Sequence, residues 1–248
     1  TTKTRISYAY DIRIFFQFLL DENPAFKNYA MTDFSVEILD QIKAVDLEEY
    51  MEYLKVYQNG DKTETNGERG LKRKISALRS FYAYYYKREM IQTNPTVLID
   101  VPKIHDKSII RLDTDEVALL LDYIEHCGDS LTGQKRVYYE KTKERDLAIV
   151  TLLLGTGIRV SECVGLDIED VDFKNNGIKV TRKGGNEMVV YFGEEVEKAL
   201  KRYLEVRAGI TPLAGHEHAL FYSAQRKRMG VQAVENMVKK YSRQITTT

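Results

Sequence analysis

The chain has 248 residues and no formal net charge, because 37 Lys and Arg balance 37 Asp and Glu. That length suffices for one large domain or two ordinary ones, and 43% hydrophobic with 30% charged residues excludes a disordered chain. No apolar run approaches the roughly 18 residues of a membrane span and no signal peptide opens the sequence, so we expect no membrane partner. Two cysteines, Cys127 and Cys163, are too few for a disulfide framework and favour a cytoplasmic protein.

The zero net charge conceals two basic clusters. Residues 69–88 hold seven basic side chains and no acidic one, and residues 226–243 hold six basic side chains against Glu235. A local basic patch predicts phosphate binding even when the total charge is zero. The candidate DNA-contacting residues in these clusters are Arg69, Lys72, Arg73, Lys74, Arg79, Arg226, Lys227 and Arg228. Solvated helix faces show the same charge runs, so that alternative remains open.

Apolar residues at helical spacing predict a first, all-helical domain in residues 1–99. The three apolar stripes span residues 8–19, 47–54 and 71–82. Asp46 with Glu49 three residues later is a capping pattern that predicts the start of the second helix. Two Asn-Gly pairs predict a polar loop between the second and third helices.

A linker and a second domain are predicted after the first hundred residues. The Val101-Pro102 pair and the weak periodicity around it indicate an interdomain linker over residues 100–111. In the second domain, over 112–248, Asp113 and Glu116 repeat the capping pattern at the start of a helix. A polar loop near 128–143 then precedes a strongly apolar helix over 147–154.

Strand-forming residues are predicted only in the second domain. Two β-prone runs, 178–181 and 188–192, flank Gly184-Gly185-Asn186, which predicts a hairpin. Helical spacing resumes over 196–203 and 231–241. The predicted fold class is mainly α with a small antiparallel β-sheet in the second domain.

Two motifs in the second domain suggest phosphate chemistry. The apolar helix ends at Gly155-Thr156-Gly157, and Arg159 follows at the start of a short helix, where its guanidinium can bind two phosphate oxygens. This turn lacks the Lys-Ser/Thr of a P-loop and follows a helix, so nucleotide binding is not indicated. The second motif is Arg182-Lys183 at the hairpin tip, where Arg182 is a further candidate DNA-contacting residue. A lysine there is otherwise ordinary turn chemistry.

These motifs and two further segments resemble the tyrosine recombinase family, most closely the integrases of phages and conjugative transposons, which are mobile genetic elements. The matching segments are 8–19, 75–82 followed by Asn94-Pro95, 156–162 (Thr-Gly-Ile-Arg-Val-Ser-Glu) and 177–192. The resemblance covers nearly the whole chain. It implies a helical, SAM-like core-binding domain in 1–99 and a partial catalytic domain in 112–248.

The resemblance implies DNA integration or recombination on double-stranded DNA, without a metal or other cofactor, by a homotetramer on paired recombination sites. A tyrosine would attack a backbone phosphate to give a 3′-phosphotyrosyl link, and a partner strand's hydroxyl would reverse the step. Arg159 would stabilise the transition state, Lys183 would protonate the leaving 5′-oxygen, and Glu162 would orient the site. The family often has Gly where Arg182 stands, so either cation could point inward, and the register favours Lys183.

The His-x-x-Arg box and the nucleophilic tyrosine of the family pattern have no match in this chain. No Arg lies three residues after any of its four histidines, and Tyr241 sits in a segment that resembles the one preceding the box. We therefore expect a chain truncated before its nucleophile, which binds DNA but does not cleave it. Basic residues 69–88 and 226–228 would contact the DNA from the two domains.

Three alternatives remain open at this stage. A type IB topoisomerase shares the Arg and Lys roles but relaxes supercoils alone. A non-catalytic DNA-binding protein could use the same scaffold. A helical interaction module with no DNA role would make the basic residues irrelevant to DNA affinity.

Overall fold

The computed structural model describes residues 2–105 and 111–245 and divides into two compact units, Thr1–Ser108 and Ile109–Thr248. Each unit has a hydrophobic core of its own. Residues 106–110 of the predicted linker lie outside the described residues. In the part of the chain that the structure describes, no helix combines the length and apolar character needed to cross a membrane.

Within its described residues, 2–105, the first unit contains three α-helices, one β-hairpin and three short 3-10 turns. The helices and strands are α1 (Thr2–Glu22), α2 (Ala44–Tyr53), β1 (Val56–Asn59), β2 (Lys62–Thr65) and α3 (Glu68–Tyr86), and the 3-10 turns are Met31–Asp33, Val36–Gln41 and Pro95–Val97. The predicted stripes supply the core, where Phe15 of α1 meets Tyr50 of α2 edge-on at 5.0 Å between ring centroids. Ile75 and Tyr82 of α3 are fully buried in the same core.

Two predictions for the first unit were wrong. Helix α2 begins at Ala44, two residues before Asp46, whose carboxylate instead reaches back to accept the Lys43 backbone N–H at 2.7 Å. The predicted polar loop is the β1–β2 hairpin, in which Asn59 pairs with Lys62 and Gly60 turns with a φ of +61°. All but one of its strand positions are exposed, so no apolar alternation marked these strands. The first unit is therefore not entirely helical.

In the described part of the second unit, residues 111–245, there are five α-helices and a three-stranded antiparallel sheet. Its elements are α4 (Thr114–His126), α5 (Gly133–Thr156), α6 (Val160–Gly165), β3 (Val171–Asp172), β4 (Gly177–Thr181), β5 (Glu187–Tyr191), α7 (Glu194–Ala208) and α8 (Val231–Ser242). The strand order is β3-β4-β5, and Gly177 pairs with Tyr191 across the predicted hairpin. The mainly α fold class and this hairpin are thus confirmed.

Helix α5 differs from its prediction at its start. The capping pattern of α4 is confirmed, with Asp113 and Glu116 exchanging 2.9 Å hydrogen bonds. The loop predicted near 128–143 was wrong, because α5 already begins at Gly133. The first half of α5 is polar and largely exposed, whereas residues 145–152 are buried. The apolar periodicity therefore revealed only the buried half of the helix.

Candidate functional site

Arg159 is placed by the turn between α5 and α6. Gly157 ends α5 in the left-handed conformation with a φ of +65°, which glycine adopts without steric cost. Ile158 is buried and anchors the turn, and Arg159 is the N-cap residue of α6. The side chain of Arg159 is 67% exposed, so its guanidinium emerges at the start of a helix.

Glu162 fixes Arg159 through two contacts. One carboxylate oxygen accepts the Arg159 backbone N–H at 2.9 Å and the other accepts guanidinium Nη1 at 2.8 Å. The Glu162 side chain is 5% exposed. The backbone N–H of Arg159, followed by its side chain and the charge of Arg182, keeps the pKa of Glu162 below its ordinary value. The carboxylate is therefore ionised at neutral pH and holds one edge of the guanidinium, which leaves its other N–H groups available.

The tip of the β4–β5 hairpin presents Arg182 and Lys183. Arg182 donates its N–H to the Asn186 carbonyl at 2.7 Å, and Gly184 and Gly185 have φ values of +103° and +85°. Both cationic side chains are exposed. The charge of Arg182 is one of the contributions that lower the pKa of Glu162, after the hydrogen bonds and the charge of Arg159.

Strand β4 packs beside α6, and sequence reasoning missed one cation there. A small cavity is lined by Ser161 and Glu162 from α6 and by Lys179 and Thr181 from β4. The ammonium of Lys179 lies 3.7 Å from both Asp170 and Glu187. Strand alternation, which puts Lys179 on the face opposite the buried Ile178 and Val180, was the signal that could have identified it.

Arg228 does not point freely into solvent. Its guanidinium donates to the Val164, Gly165 and Leu166 carbonyls at 2.8–3.1 Å and pairs with Asp167. These carbonyls lie at the C-terminal end of α6, where a cation is favourable. Arg228 therefore braces α6, the helix that has Arg159 as its N-cap. The other two basic residues predicted here, Arg226 and Lys227, are exposed.

The basic residues of α3 differ in their contacts within the first unit. Arg69 and Lys72 are exposed, as the DNA-contact prediction requires. Arg79 donates to the Thr96 and Ile99 carbonyls at 3.2 and 3.0 Å, which ties α3 to the segment after it. The remaining two residues, Arg73 and Lys74, both contact Asp11, and Lys74 is only 6% exposed.

Tyr241 lies in the core of the second unit. Its hydroxyl donates to Asp146 at 3.0 Å, and burial together with the Asp146 charge raises the pKa of Tyr241 far above its ordinary value. Asp146 in turn pairs with Arg145 at 2.6 Å, and Arg145 donates to the Tyr222 carbonyl at 2.9 Å. Sequence reasoning did not identify this buried network. The signal for it was the pair of consecutive charged residues, Arg145-Asp146, directly before the apolar stretch 147–154. Within residues 2–105 and 111–245, no group of three or more His, Cys, Asp or Glu side chains could hold a metal ion.

A model of the phage integrase family matches residues 110–248. The chain belongs to this family. It is 34% identical to tyrosine recombinase XerC of Caldanaerobacter subterraneus subsp. tengcongensis, with 95% of this chain and 62% of that protein covered. It is also 30% identical to XerC of Chlorobaculum tepidum, over 99% of this chain and 72% of that protein, and 31% identical to XerS of Lactococcus lactis subsp. cremoris (strain MG1363), over 96% and 73%. The chain thus spans between about three fifths and three quarters of the length of these curated relatives.

Solved structures of the family share the fold. The Tn1549 transposon integrase, in complex with transposon right end DNA, matches with a TM-score of 0.69 and 23% identity, over 98% of this chain and 74% of that one. A lambda integrase dimer bound to a COC′ core site matches with a TM-score of 0.65 and 15% identity, over 100% and 76%. The resemblance to tyrosine recombinases is therefore confirmed, and the relatives' names favour a recombinase over a type IB topoisomerase.

Proposed function

We propose that this chain is the DNA-binding, phosphate-activating part of a site-specific DNA recombinase of the integrase type. The observation that carries the proposal is the Arg159 guanidinium, held by Glu162 at the start of α6, beside the strand β4 that leads into the Arg182-Lys183 hairpin tip. The family relationship supports a reaction through a 3′-phosphotyrosyl intermediate.

Arg159 supplies positive charge where negative charge develops on the attacked phosphate. Loss of one such preorganised stabiliser typically lowers a rate by about 10²–10³-fold. Lys183 donates the proton that the leaving 5′-oxygen requires, a role that supplies about 10²–10⁴-fold. Arg182 is the second cation on the hairpin, and its charge helps to keep Glu162 ionised.

Duplex DNA is the partner that the basic faces fit. In the first domain (1–99), Arg69 and Lys72 are exposed on α3, and in the second (112–248), Arg226 and Lys227 are exposed. Family members solved on DNA support this partner. Residues 100–111 would link the two domains, in a cytoplasmic protein that assembles as a homotetramer on paired recombination sites.

The nucleophile of the proposed reaction is not Tyr241. Its phenol is buried, protonated and hydrogen-bonded to Asp146, which keeps it from attacking a phosphate. The chain also has no His-x-x-Arg box, which precedes the nucleophile in the family pattern, and we therefore propose that the nucleophilic tyrosine lies outside residues 1–248.

A suicide DNA substrate, which traps the phosphotyrosyl adduct, tests the proposal. The longer protein encoded by the natural reading frame should form an adduct, and this chain should form none. Arg159→Ala should slow adduct formation by the longer protein about 10²–10³-fold. Lys183→Ala should slow it, and a substrate with a 5′-bridging sulfur, which leaves without protonation, should restore the rate.

A comparison of Arg182→Ala with Lys183→Ala identifies the general acid. If the sulfur substrate rescues Arg182→Ala and not Lys183→Ala, the roles of the two cations are exchanged. If the longer protein forms no adduct, or if the adduct maps to Tyr241, the proposed function is refuted.

A further inference from the structure

Asp11 of α1 joins two consecutive cations of α3 inside the first unit. Its carboxylate accepts a two-pronged contact from Arg73, with Nη2 at 2.8 Å from Oδ1 and Nη1 on Oδ2. The ammonium of Lys74 lies 3.5 Å from the same Oδ1. The side chains of Asp11 and Lys74 are 2% and 7% exposed, whereas that of Arg73 is 48% exposed.

The three charges leave one positive charge at the surface. Lys74 is buried beside Asp11 and balances its negative charge, so the charge of Arg73 is not cancelled. A guanidinium carries five N–H donors, of which Asp11 uses two. The remaining donors of Arg73 are free of Asp11, on a side chain that is half exposed.

Arg73 lines an open cavity of about 810 Å³ in the first unit, to which α1, the β1–β2 hairpin and other residues of α3 also contribute. The cavity is lined by equal numbers of acidic and basic side chains, which are Asp11, Asp21, Glu64, Arg13, Arg73 and Lys74. The charged side chains that line this cavity sum to zero and therefore do not attract an anion as a group. Anion binding there depends on the direction in which the Arg73 guanidinium points.

We propose that Asp11 and Lys74 are positioning residues that hold Arg73 with its open edge toward a phosphodiester of duplex DNA. This inference rests on the proposed function, because it takes duplex DNA as the ligand. Lys74 acts as the buried counter-charge of Asp11 and not as a phosphate contact. A guanidinium held at one edge loses less conformational freedom on binding than a free side chain.

The test measures the affinity of this chain for duplex DNA over a range of salt concentrations. Arg73→Lys keeps the charge but removes the two-pronged geometry, and it should weaken binding about tenfold. Arg73→Ala should in addition reduce the log–log salt slope by about 0.9. The double variant Asp11→Asn with Lys74→Met leaves the net charge unchanged and should weaken binding about as much as Arg73→Lys.

A double-mutant cycle separates positioning from a direct contact. In the Arg73→Ala background, the Asp11→Asn/Lys74→Met pair should change affinity less than twofold, because its effect passes through Arg73. The matched control removes the exposed pair Glu52–Lys55 of the same unit, as Glu52→Gln with Lys55→Met, and should bind as the wild type does. Thermal unfolding of each variant establishes that affinities refer to folded protein.

The outcomes distinguish the inference from the function on which it rests. If the wild-type chain does not bind duplex DNA, the proposed function fails. If the wild type binds and both Arg73→Lys and the Asp11/Lys74 double variant bind equally well, the positioning inference is wrong while the function stands. If the double variant does not fold, Arg73→Lys alone decides, because its half-exposed side chain tolerates the change.

Discussion

Glu162 should stabilise the second unit through the two contacts that fix Arg159. In Glu162→Ala, the loss of the cap to the Arg159 backbone N–H costs about 1 kcal/mol. The contact with the Arg159 guanidinium adds less than about 1 kcal/mol, because that side chain is 67% exposed and screened by solvent. The free energy of unfolding should therefore fall by about 1.5 kcal/mol, as measured by urea denaturation followed by circular dichroism.

The effect of Glu162 should depend on pH in one direction. Because the Arg159 backbone N–H, and then its side chain, lower the pKa of this carboxyl in the folded state, its stabilisation is complete above the unfolded pKa of about 4.3. It is lost as the pH falls through the lower folded value. Glu162→Gln should thus be less stable than the wild type at pH 7, and the difference should shrink in acid.

The matched control is Glu194→Gln, which removes an exposed carboxylate whose partner is Lys198 in the same helix. Its unfolding curve at neutral pH should overlay that of the wild type. The reasoning is refuted if Glu162→Ala is no less stable than this control, or if the deficit of Glu162→Gln grows as the pH falls.

Three further substitutions test single contacts of the structure. Arg228→Lys should lower the stability of the second unit by about 1–2 kcal/mol in urea denaturation, because an ammonium cannot reach the α6 carbonyls and Asp167 together. Tyr241→Phe should lower stability by about 1 kcal/mol and leave adduct formation by the longer protein unchanged, since the hydroxyl serves only Asp146. Arg79→Ala should lower the thermal midpoint of the first unit without changing the salt slope of DNA binding, whereas a slope reduced by about 0.9 would instead place Arg79 on a phosphate.

The elements predictable from the sequence are those with one buried face. The apolar stripe of α1 and the β-prone run of β4 both correspond to elements with a buried face, and the capping pattern at Asp113 identified the start of α4. The β1–β2 hairpin and the first half of α5 have mostly exposed side chains, so no apolar period marks them. Local turn chemistry at Asn59-Gly60 was the remaining signal for the hairpin.

The contact between Arg159 and Glu162 was predictable, because the motif places the two residues three positions apart at the start of one short helix. The sequence shows that a side chain is charged but not which partner it meets. Lys74 and Arg228 therefore resembled their exposed neighbours, although a carboxylate from a distant segment holds each of them in the structure. Such long-range pairs appear only when the fold brings the segments together.

The salt dependence of duplex DNA affinity tests the central claim most directly, because the chain has no net charge to bind polyanions nonspecifically. If the basic faces contact several phosphates, the log–log slope should be steep, at about 0.9 for each contact, and should decrease in Arg69→Ala and Lys72→Ala. An affinity that hardly changes between low and moderate salt, or a slope that is indifferent to these substitutions, would contradict the account.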